Sequence, residues 1–333
     1  MMQHFPARLS LVLIVLAAAF PPLAVATGND YLVPSVSRIL IYALAAVSLN
    51  LMVGYTGLVS LGHAAYLGIG AYVVGILSFH AAEASTIFGL PGTVQALISV
   101  PLAILVAGLA AFVLGALCLR TSGIYFIMIT LAFAQMIFFI TVSLERYGGD
   151  DGLFMYAGPN RLAGLDLADE RLFFYVCLAI LAGFVLFSLR LVRSRFGRTL
   201  GAIRQNEARM ITLGCNVYRH KLAVFVIAGA GAGLAGALLA NQASYVSPDL
   251  LHWTRSGELL FMVILGGSGS LLGPVLGAVA FLLLEEYLPV VFDAAGLHLL
   301  QEHWRIVFGP LLIAVMLINR RGIYGLLFRE RAQ

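Results

Sequence analysis

Residues 190–221 read RLVRSRFGRTLGAIRQNEARMITLGCNVYRHK, and the chain is organised around this basic segment. It holds seven arginines and one lysine against a single acid, Glu207. The flanking runs, Leu172–Leu189 and Leu222–Gln242, are apolar and long enough to cross a bilayer. Because basic loops resist translocation, such a segment between two spans is typical of the cytoplasmic side of a membrane protein.

The basic segment also carries an internal pattern. Apolar residues recur at helical spacing, Gly214 offers a stop, and the run from Arg204 to Glu207 offers a break or a cap. The apolar positions are Phe196, Leu200, Ile203, Met210 and Ile211. This pattern predicts one or two short helices at the membrane surface. They would either rest on anionic lipid or form a docking surface for a cytoplasmic partner.

Composition indicates an integral membrane protein. Of the 333 residues, 61% are hydrophobic and only 11% are charged, whereas soluble domains carry about 25% charged residues. Of the 20 basic residues, 12 lie in the basic segment and the last fourteen residues, so the net charge of +4 indicates membrane topology and not nucleic-acid binding. The three cysteines, Cys118, Cys177 and Cys215, are dispersed and have neither disulfide nor metal-site spacing.

The apolar runs predict an all-α, polytopic membrane protein that forms a single transmembrane domain over residues 1–333. Ten crossings result, or eight to ten if the short and terminal pieces are discounted: Leu9–Ala26, Val36–Gly54, Leu61–Phe79, Thr93–Leu119, Ile124–Leu144, Leu172–Leu189, Leu222–Gln242, Leu259–Gly267, Leu272–Phe292 and Trp304–Ile318. The first run ends in a sequence like a signal-peptidase site, Ala24-Val25-Ala26, but in a polytopic chain we favour a retained span. An even count places both termini in the cytoplasm, and the acid-rich loop Glu145–Arg171 then lies outside.

Two glycine-rich stretches interrupt the apolar spans, GYTGLVSLGHAAYLGIGAYVVG from Gly54 and LGGSGSLLGPVLG from Leu265. Paired glycine-interrupted segments in two halves of a chain are typical of a transport pathway. The polar residues Asn50 and His63 lie in or beside the first stretch, where they either line a cavity or form ordinary interhelical hydrogen bonds.

Three patterns typical of other functions are weak. Gly231–Gly236 matches a dinucleotide-binding glycine pattern but lies inside an apolar span, where helix packing explains it better. Gly266-Gly-Ser-Gly269 is similar to the serine motif of intramembrane proteases, yet no histidine lies inside a later span to act as base. His298, Glu302 and His303 could touch a metal, but a solvated loop is the simpler interpretation. The sequence therefore predicts no catalytic residue and no metal site.

Several blocks resemble the permeases of branched-chain amino acid ABC transporters. They are Leu49-Asn-Leu-Met-Val-Gly-Tyr-Thr-Gly57, Ser60-Leu-Gly-His-Ala-Ala-Tyr-Leu-Gly-Ile-Gly-Ala-Tyr72, Gly123–Gln135, Gly148–Leu153, Gly197–Glu207 and Leu265–Gly277. Together they cover most of the chain from Leu40 to Gly277. The blocks at Gly123 and Gly148 resemble LivM-type subunits of that family more than LivH-type subunits.

The resemblance implies a subunit that forms half of a transmembrane pathway in the bacterial inner membrane. Its expected partners are a second, LivH-type permease subunit, two cytoplasmic LivG/LivF-type ATPase subunits and a periplasmic amino-acid-binding protein. No GxxxxGK[ST] loop is present, so ATP and Mg²⁺ are expected on the ATPase subunits and no cofactor on this chain. The segment 190–221 then becomes the ATPase-coupling loop.

Two sets of residues follow as candidate functional positions. The coupling-loop set is Gly197, Arg198, Ala202, Arg204, Asn206, Glu207, Ala208 and Gly214. The pathway set is Asn50, Gly57, Ser60, His63, Thr130, Gln135, Gly266 and Gly267. On one continuous helix Glu207 would lie in line with Leu200, Ile203 and Met210, so we expect its carboxylate to be buried with a partner such as Arg204 or a donor on the ATPase.

The alternatives belong to other transporter classes. Urea-type permeases share most of the blocks, so the substrate is either a branched-chain amino acid or urea. A proton- or sodium-coupled carrier would show carboxylates in the middle of its spans, whereas Glu258, Glu285 and Glu286 lie near span ends. A channel would need rings of ligands from several subunits, which one sequence does not reveal.

Overall fold

The computed structural model describes residues 20–22, 31–87, 90–162, 165–294, 303–318 and 322–327, together with 296, 298 and 301. The elements within these ranges are almost all helical. In chain order we number the helices α1 (Leu32–Thr56), α2 (His63–Ala82), α3 (Ala96–Cys118), α4 (Ile124–Val142), α5 (Glu170–Arg193), α6 (Arg195–Gln205), α7 (Glu207–Thr212), α8 (Val217–Ala243), α9 (Trp253–Gly266), α10 (Gly273–Ala294), α11 (Trp304–Ile318) and α12 (Gly322–Leu327).

The strands are short and form three two-stranded antiparallel ribbons. They are β1 (Thr86–Ile87), β2 (Leu90–Pro91), β3 (Leu153–Phe154), β4 (Arg161–Leu162), β5 (Leu165–Asp166) and β6 (Tyr245–Val246). β1 pairs with β2, β3 with β6 and β4 with β5. Short 3₁₀ turns cover Glu145–Tyr147, Gly149–Asp151 and Pro248–Leu251. The architecture is therefore an all-α membrane fold with ribbons confined to connecting loops.

Seven helices in the described part of the chain are long and apolar enough to cross a membrane: α1, α2, α3, α4, α5, α8 and α10. The predicted crossing Leu259–Gly267 is the C-terminal part of the 14-residue α9, and the predicted crossing Trp304–Ile318 is the 15-residue α11. The predicted first span, Leu9–Ala26, and the C-terminal arginines lie outside the described residues, apart from 20–22. The count of ten and the cytoplasmic termini stay predictions.

The core is built around α1, which is buried along most of its length. It packs against α5, α8, α9 and α10, while α2, α3 and α8 pack against one another. Close packing depends on glycine: a methyl group on Gly70 of α2 would lie 2.1 Å from the carbonyl oxygen of Gly233 of α8, and one on Gly236 would lie 1.8 Å from that of Leu67. Backbone-to-backbone contact of this kind is how small residues bring membrane helices together.

Helices α3 and α4 lie at the periphery and expose large apolar side chains, as expected for surfaces that face lipid. Leu105, Leu109 and Phe112 of α3 and Met128 and Phe139 of α4 are each at least half exposed. A surface of this size on a soluble protein would promote aggregation. In a membrane it is the face on which acyl chains pack.

The two ends of the bundle differ in charge. At one end, which we call the basic end, α6 and α7 connect α5 to α8. At the other, which we call the acidic end, residues 143–169 and the start of the α8–α9 connection are joined by the β3–β6 ribbon, with Leu153 opposite Val246 and Phe154 opposite Tyr245. The Tyr245 hydroxyl donates to the carbonyl oxygen of Asp151 at 2.6 Å, so this ribbon ties two distant loops into one cap.

Candidate functional site

The two glycine-rich stretches meet at Asn50 of α1. Its side-chain nitrogen donates to the Ser270 carbonyl oxygen at 2.9 Å, and its side-chain oxygen accepts from the Gly269 amide at 3.3 Å. Asn50 is fully buried. One amide side chain therefore satisfies a donor and an acceptor of the non-helical α9–α10 connection, residues 267–272, inside the bundle, where unpaired backbone groups would be costly.

The break between α1 and α2 lies close to that connection. Gly57 ends α1 with a left-handed φ of +74°, and Ser60 Oγ accepts from the Gly62 amide at 3.1 Å. A methyl group on Gly54 would lie 2.9 Å from the Gly269 amide nitrogen. Two interrupted helix connections thus lie side by side near the basic end. Non-helical backbone at this depth is characteristic of segments that line a pathway.

Helix α2 begins inside the bundle and not at its edge. His63 Nε2 lies 2.9 Å from the hydroxyl of Ser48, which is eight residues before the end of α1. The Ser48 hydroxyl also donates to the Ala45 carbonyl at 2.7 Å, and the Ala64 amide donates to Ser256 Oγ of α9 at 2.8 Å. His63, Ser48 and Ser256 are all buried, so the start of α2 is held by hydrogen bonds from both α1 and α9.

The remaining predicted pathway residues lie nearby with different roles. A methyl group on Gly62 would lie 2.7 Å from the Thr130 carbonyl oxygen of α4, so α2 and α4 touch through backbone there. Gln135 lies further along α4, and its side-chain nitrogen is buried with no hydrogen-bond partner among the described residues. Gly266 packs against the carbonyl oxygen of Gly273, and Gly267 ends α9 with a φ of +111°. The structure therefore brings Asn50 against the α9–α10 connection that begins at Gly267, and it brings Ser60, His63 and Thr130 to the start of α2.

At the basic end, α6 is anchored into the bundle. The Ser194 side chain caps its start by accepting from the Gly197 amide. Gly197 is buried, and a methyl group there would lie 2.2 Å from the Val192 carbonyl oxygen, so the tight turn from α5 into α6 requires glycine. Leu200 and Ile203 are 2% and 3% exposed, and Leu200 packs with Leu51 of α1 and Val224 of α8.

Arg204, near the end of α6, is exposed to solvent, but its side chain reaches the end of α1. Its guanidinium donates a hydrogen bond to the carbonyl oxygen of Gly54 in the last turn of α1, and its Cγ lies 3.6 Å from the position of a methyl group on Gly57. Arg198 and Ala202 of the same helix are exposed and partly exposed. The sequence indicated a basic segment but not that one of its arginines reaches the end of a core helix.

The helical segment breaks at Asn206, as the sequence predicts, and α7 begins at Glu207. The Asn206 side chain caps α7 by accepting from the Arg209 amide at 2.9 Å. After α7 the left-handed Gly214, with φ +79°, turns the chain toward α8. None of the residues of α7, Ala208 included, is buried.

The expected pairing of Glu207 with Arg204 is wrong, whereas its burial against an ATPase subunit stays a prediction. Its carboxylate lies 2.7 Å from the Lys221 ammonium of α8, not beside Arg204, and its side chain is 50% exposed. The reason is the break at Asn206, which rotates α7 away from the line of Leu200 and Ile203. Glu207 therefore belongs to a surface ion pair.

The exposed face of α7 is partly apolar. Ile211 is 59% exposed and Leu213, just after the helix, is 71% exposed. Arg209 and Glu207, both exposed, precede them in the sequence. A short helix that buries nothing and presents two large apolar side chains outside the membrane-spanning helices has the properties of a docking surface.

Sequence reasoning missed several residues of this site. Ser48 and Ser256 carry no distinguishing motif, and they matter only because α1 and α9 place their hydroxyls beside the start of α2. Gly54 and Gly269 lay in the glycine-rich stretches, but their proximity joins positions more than 200 residues apart. Lys221 stood out as the only lysine of the chain, which is a signal that could have suggested a specific ion pair.

A family model described as branched-chain amino acid transport system, permease component, matches residues 31–316. The chain is 30% identical to the high-affinity branched-chain amino acid transport system permease protein LivM of Salmonella typhimurium, over 94% of this chain and 73% of that protein. It is 26% identical to a probable LivM of Methanocaldococcus jannaschii, over 85% of this chain and 90% of that protein. A shorter match, 30% identical over 40% of each chain, relates it to the LivH permease of Salmonella typhimurium. No solved structure matches the chain significantly.

Proposed function

The chain belongs to the family of permease components of branched-chain amino acid transport systems, and on this basis we propose that it forms one half of the pathway through which an ABC importer moves leucine, isoleucine and valine. The observation that carries the substrate is the identity to LivM over 94% of the chain. The interrupted helices agree with it, because non-helical backbone and polar side chains inside a bundle are characteristic of segments that line a transport pathway.

The chemistry of the candidate pathway fits a small solute with an apolar side chain. Asn50, Ser60, His63 and Thr130 bring polar side chains that are hydrogen-bonded within the protein, and no Asp, Glu, Lys or Arg side chain is among them. Glu285 and Glu286 lie in the middle of α10 and not near its end, which corrects the sequence-based expectation. The Ser35 hydroxyl, near the start of α1, donates to the Glu286 carboxylate at 3.1 Å. Neutral polar groups in an apolar wall suit a zwitterion that keeps its own charges compensated and buries a branched side chain.

The remaining subunits follow from the family. The second permease subunit is LivH-type, and two ATPase subunits bind ATP and Mg²⁺ on the cytoplasmic side. A periplasmic binding protein delivers the amino acid at the acidic end. In this arrangement the chain lies in the bacterial inner membrane as a multi-pass protein, with segment 190–221 in the cytoplasm, in agreement with its charge.

The ATPase docks on α7 and the adjoining surface of α6. The support is the exposed apolar pair Ile211 and Leu213 beside Arg209, on a helix that buries nothing of its own. Arg198 and Ala202 extend the same surface along α6. Interfaces of this kind combine a few apolar anchors with an arginine-containing polar rim.

Uptake in cells tests the substrate. The chain is co-expressed with its partner subunits and binding protein in a strain that lacks its own branched-chain amino acid uptake. We expect accumulation of radiolabelled leucine, isoleucine and valine that depends on this chain. Urea is the matched control solute because urea-type permeases share the sequence blocks. Uptake of urea without any of the three amino acids would contradict the proposed substrate.

A further inference from the structure

The loop at the basic end has one side chain that connects it directly to the candidate pathway. Arg204 lies on α6, between the buried anchors Leu200 and Ile203 and the exposed α7. Its guanidinium donates to Gly54 of α1, and a methyl group on Gly269 would lie 3.9 Å from its Nη1. A single side chain therefore touches α1 and closely approaches the α9–α10 connection.

The Gly54 carbonyl is available to Arg204 because α1 ends abnormally at this point. In a continuing helix the Leu58 amide would bind the Gly54 oxygen. Here the Leu58 amide donates to Met52 and the Gly57 amide donates to Val53. A carbonyl in the last turn of a helix needs a partner, and a cation at that end also interacts favourably with the helix dipole. Arg204 supplies both.

The contact continues into the bundle. Gly54 lies one turn after Asn50 on α1, and a methyl group on Gly54 would lie 2.2 Å from the Asn50 side-chain oxygen. Asn50 in turn holds Ser270 and Gly269 of the α9–α10 connection. A continuous series of contacts therefore runs from α6 through the end of α1 to the α9–α10 connection.

A second polar tie of the loop, between Glu207 and Lys221, reaches a different part of the bundle. The Glu207–Lys221 pair joins α7 to the first turns of α8 and reaches no residue of the candidate pathway. Its carboxylate is half exposed, so solvent and salt weaken it. Of the two ties, only the one through Arg204 connects the proposed docking surface with the interrupted helices.

We propose that Arg204 is the positioning residue that couples ATPase movement to the pathway, by carrying displacement of α6 to the end of α1 and the α9–α10 connection. This inference rests on the proposed function, in which α7 and α6 receive the ATPase. It assigns Arg204 to transmission and not to docking, so loss of its side chain uncouples ATP hydrolysis from transport.

The test uses the complete transporter reconstituted in liposomes, with ATP hydrolysis and solute transport measured on the same preparation. Three variants are compared: Arg204→Ala, Arg204→Lys, and Arg195→Ala as the control, because Arg195 is an exposed arginine at the start of the same helix.

For Arg204→Ala we expect the ATPase subunits to co-purify at the wild-type level. The amount of ATP hydrolysed per solute transported should rise by about tenfold to 100-fold, the range that corresponds to losing a hydrogen bond to a charged group. Arg204→Lys keeps a cationic donor and should show a smaller rise, and Arg195→Ala none.

Two results would overturn the assignment. One is an unchanged ratio of ATP to solute in Arg204→Ala. The other is loss of the ATPase subunits from that variant, which would make Arg204 part of the docking surface. If Arg204→Ala does not yield a monodisperse complex, the Arg204→Lys variant is measured instead. The inference is overturned if that variant has the wild-type ratio of ATP hydrolysed to solute transported and if its transport also depends on ATP concentration as in the wild type. Failure of the proposed substrate is distinct: the wild-type transporter would then carry a different solute, for which the same ratio still tests Arg204.

Discussion

Helices α6 and α7 are neighbours in one basic segment, yet the bundle treats them differently. α6 buries Leu200 and Ile203 and sends Arg204 to the end of α1, whereas α7 buries no residue and exposes Ile211. Both helices begin with a side-chain cap, so local capping does not distinguish them. The difference is the break at Asn206, which changes the direction of the chain and removes α7 from the line of the buried side chains.

The contrast separates two tasks within one loop. α6 belongs structurally to the membrane domain, since its apolar face packs with α1 and α8 in the core. α7 contributes little to that core and is free to meet a partner. A loop that recognises an ATPase and transmits its motion needs an exposed helix for recognition, here α7, and a helix packed into the membrane domain for transmission, here α6.

Accessibility labelling gives the largest expected contrast, because it is all or none. In a variant without Cys118, Cys177 and Cys215, expressed without the ATPase subunits, Ile211→Cys should react with a membrane-impermeant maleimide only in inverted vesicles. Tyr156→Cys, at a position 78% exposed at the acidic end, should react only in right-side-out preparations. Leu200→Cys should react in neither. Reaction of Ile211→Cys from outside would invert the topology, and equal reactivity at 200 and 211 would remove the contrast between the helices.

Truncation of one leucine in each half should have opposite consequences. Leu200→Ala creates a cavity against Leu51 and Val224 and should destabilise the protein by about 2–5 kcal/mol, measured by thermal unfolding in detergent. Leu213→Ala, its exposed counterpart, should change stability by no more than about 0.5 kcal/mol. The ATPase subunits should instead co-purify less with Leu213→Ala. Full ATPase retention in that variant, with normal folding, would argue against docking on α7.

Removing the cap of α7 should loosen that helix alone. Asn206→Ala deletes the acceptor for the Arg209 amide and should weaken α7 by about 1 kcal/mol, within a range of about 0.5–2 kcal/mol. Hydrogen exchange is the measurement: amides at 209–212 should exchange faster while those of α6 stay unchanged. Asn206→Ser retains a capping oxygen and is the control. Faster exchange throughout α6 would show that the two helices unfold as one unit.

The smallest effect is expected for Glu207→Gln. Because the ion pair with Lys221 is half exposed at its carboxylate end, its loss should cost about 0–1 kcal/mol and should matter less at high salt. The measurement is a double-mutant cycle with Lys221→Met, read by thermal unfolding in detergent at low and high salt. A coupling energy above about 3 kcal/mol would instead indicate the buried pair expected for one continuous helix.

The sequence alone predicted much of this molecule. Hydropathy and length indicated the membrane-spanning helices, because a bilayer requires long apolar runs wherever they occur. The break between Arg204 and Glu207 was also predicted, since an asparagine cap acts on amides two or three residues away. The motif blocks indicated the family. All these features depend on neighbours in the chain or on the surrounding solvent, and they can therefore be recognised without knowing which helices pack together.

Only the tertiary structure decided what the polar residues do. Asn50 meets Ser270, which is 220 positions away, and Ser48 meets His63 because α2 starts beside the middle of α1. In the sequence nothing distinguishes Arg204 from its neighbouring arginines. In the structure α1 ends at Gly57, and the Gly54 carbonyl accepts a hydrogen bond from Arg204. The sequence suggested that Glu207 pairs with Arg204, but the bend at Asn206 places its carboxylate beside Lys221. Each of these pairings follows from the packing of particular helices, and a local pattern of apolar and polar residues carries no information about which distant backbone group will need a partner.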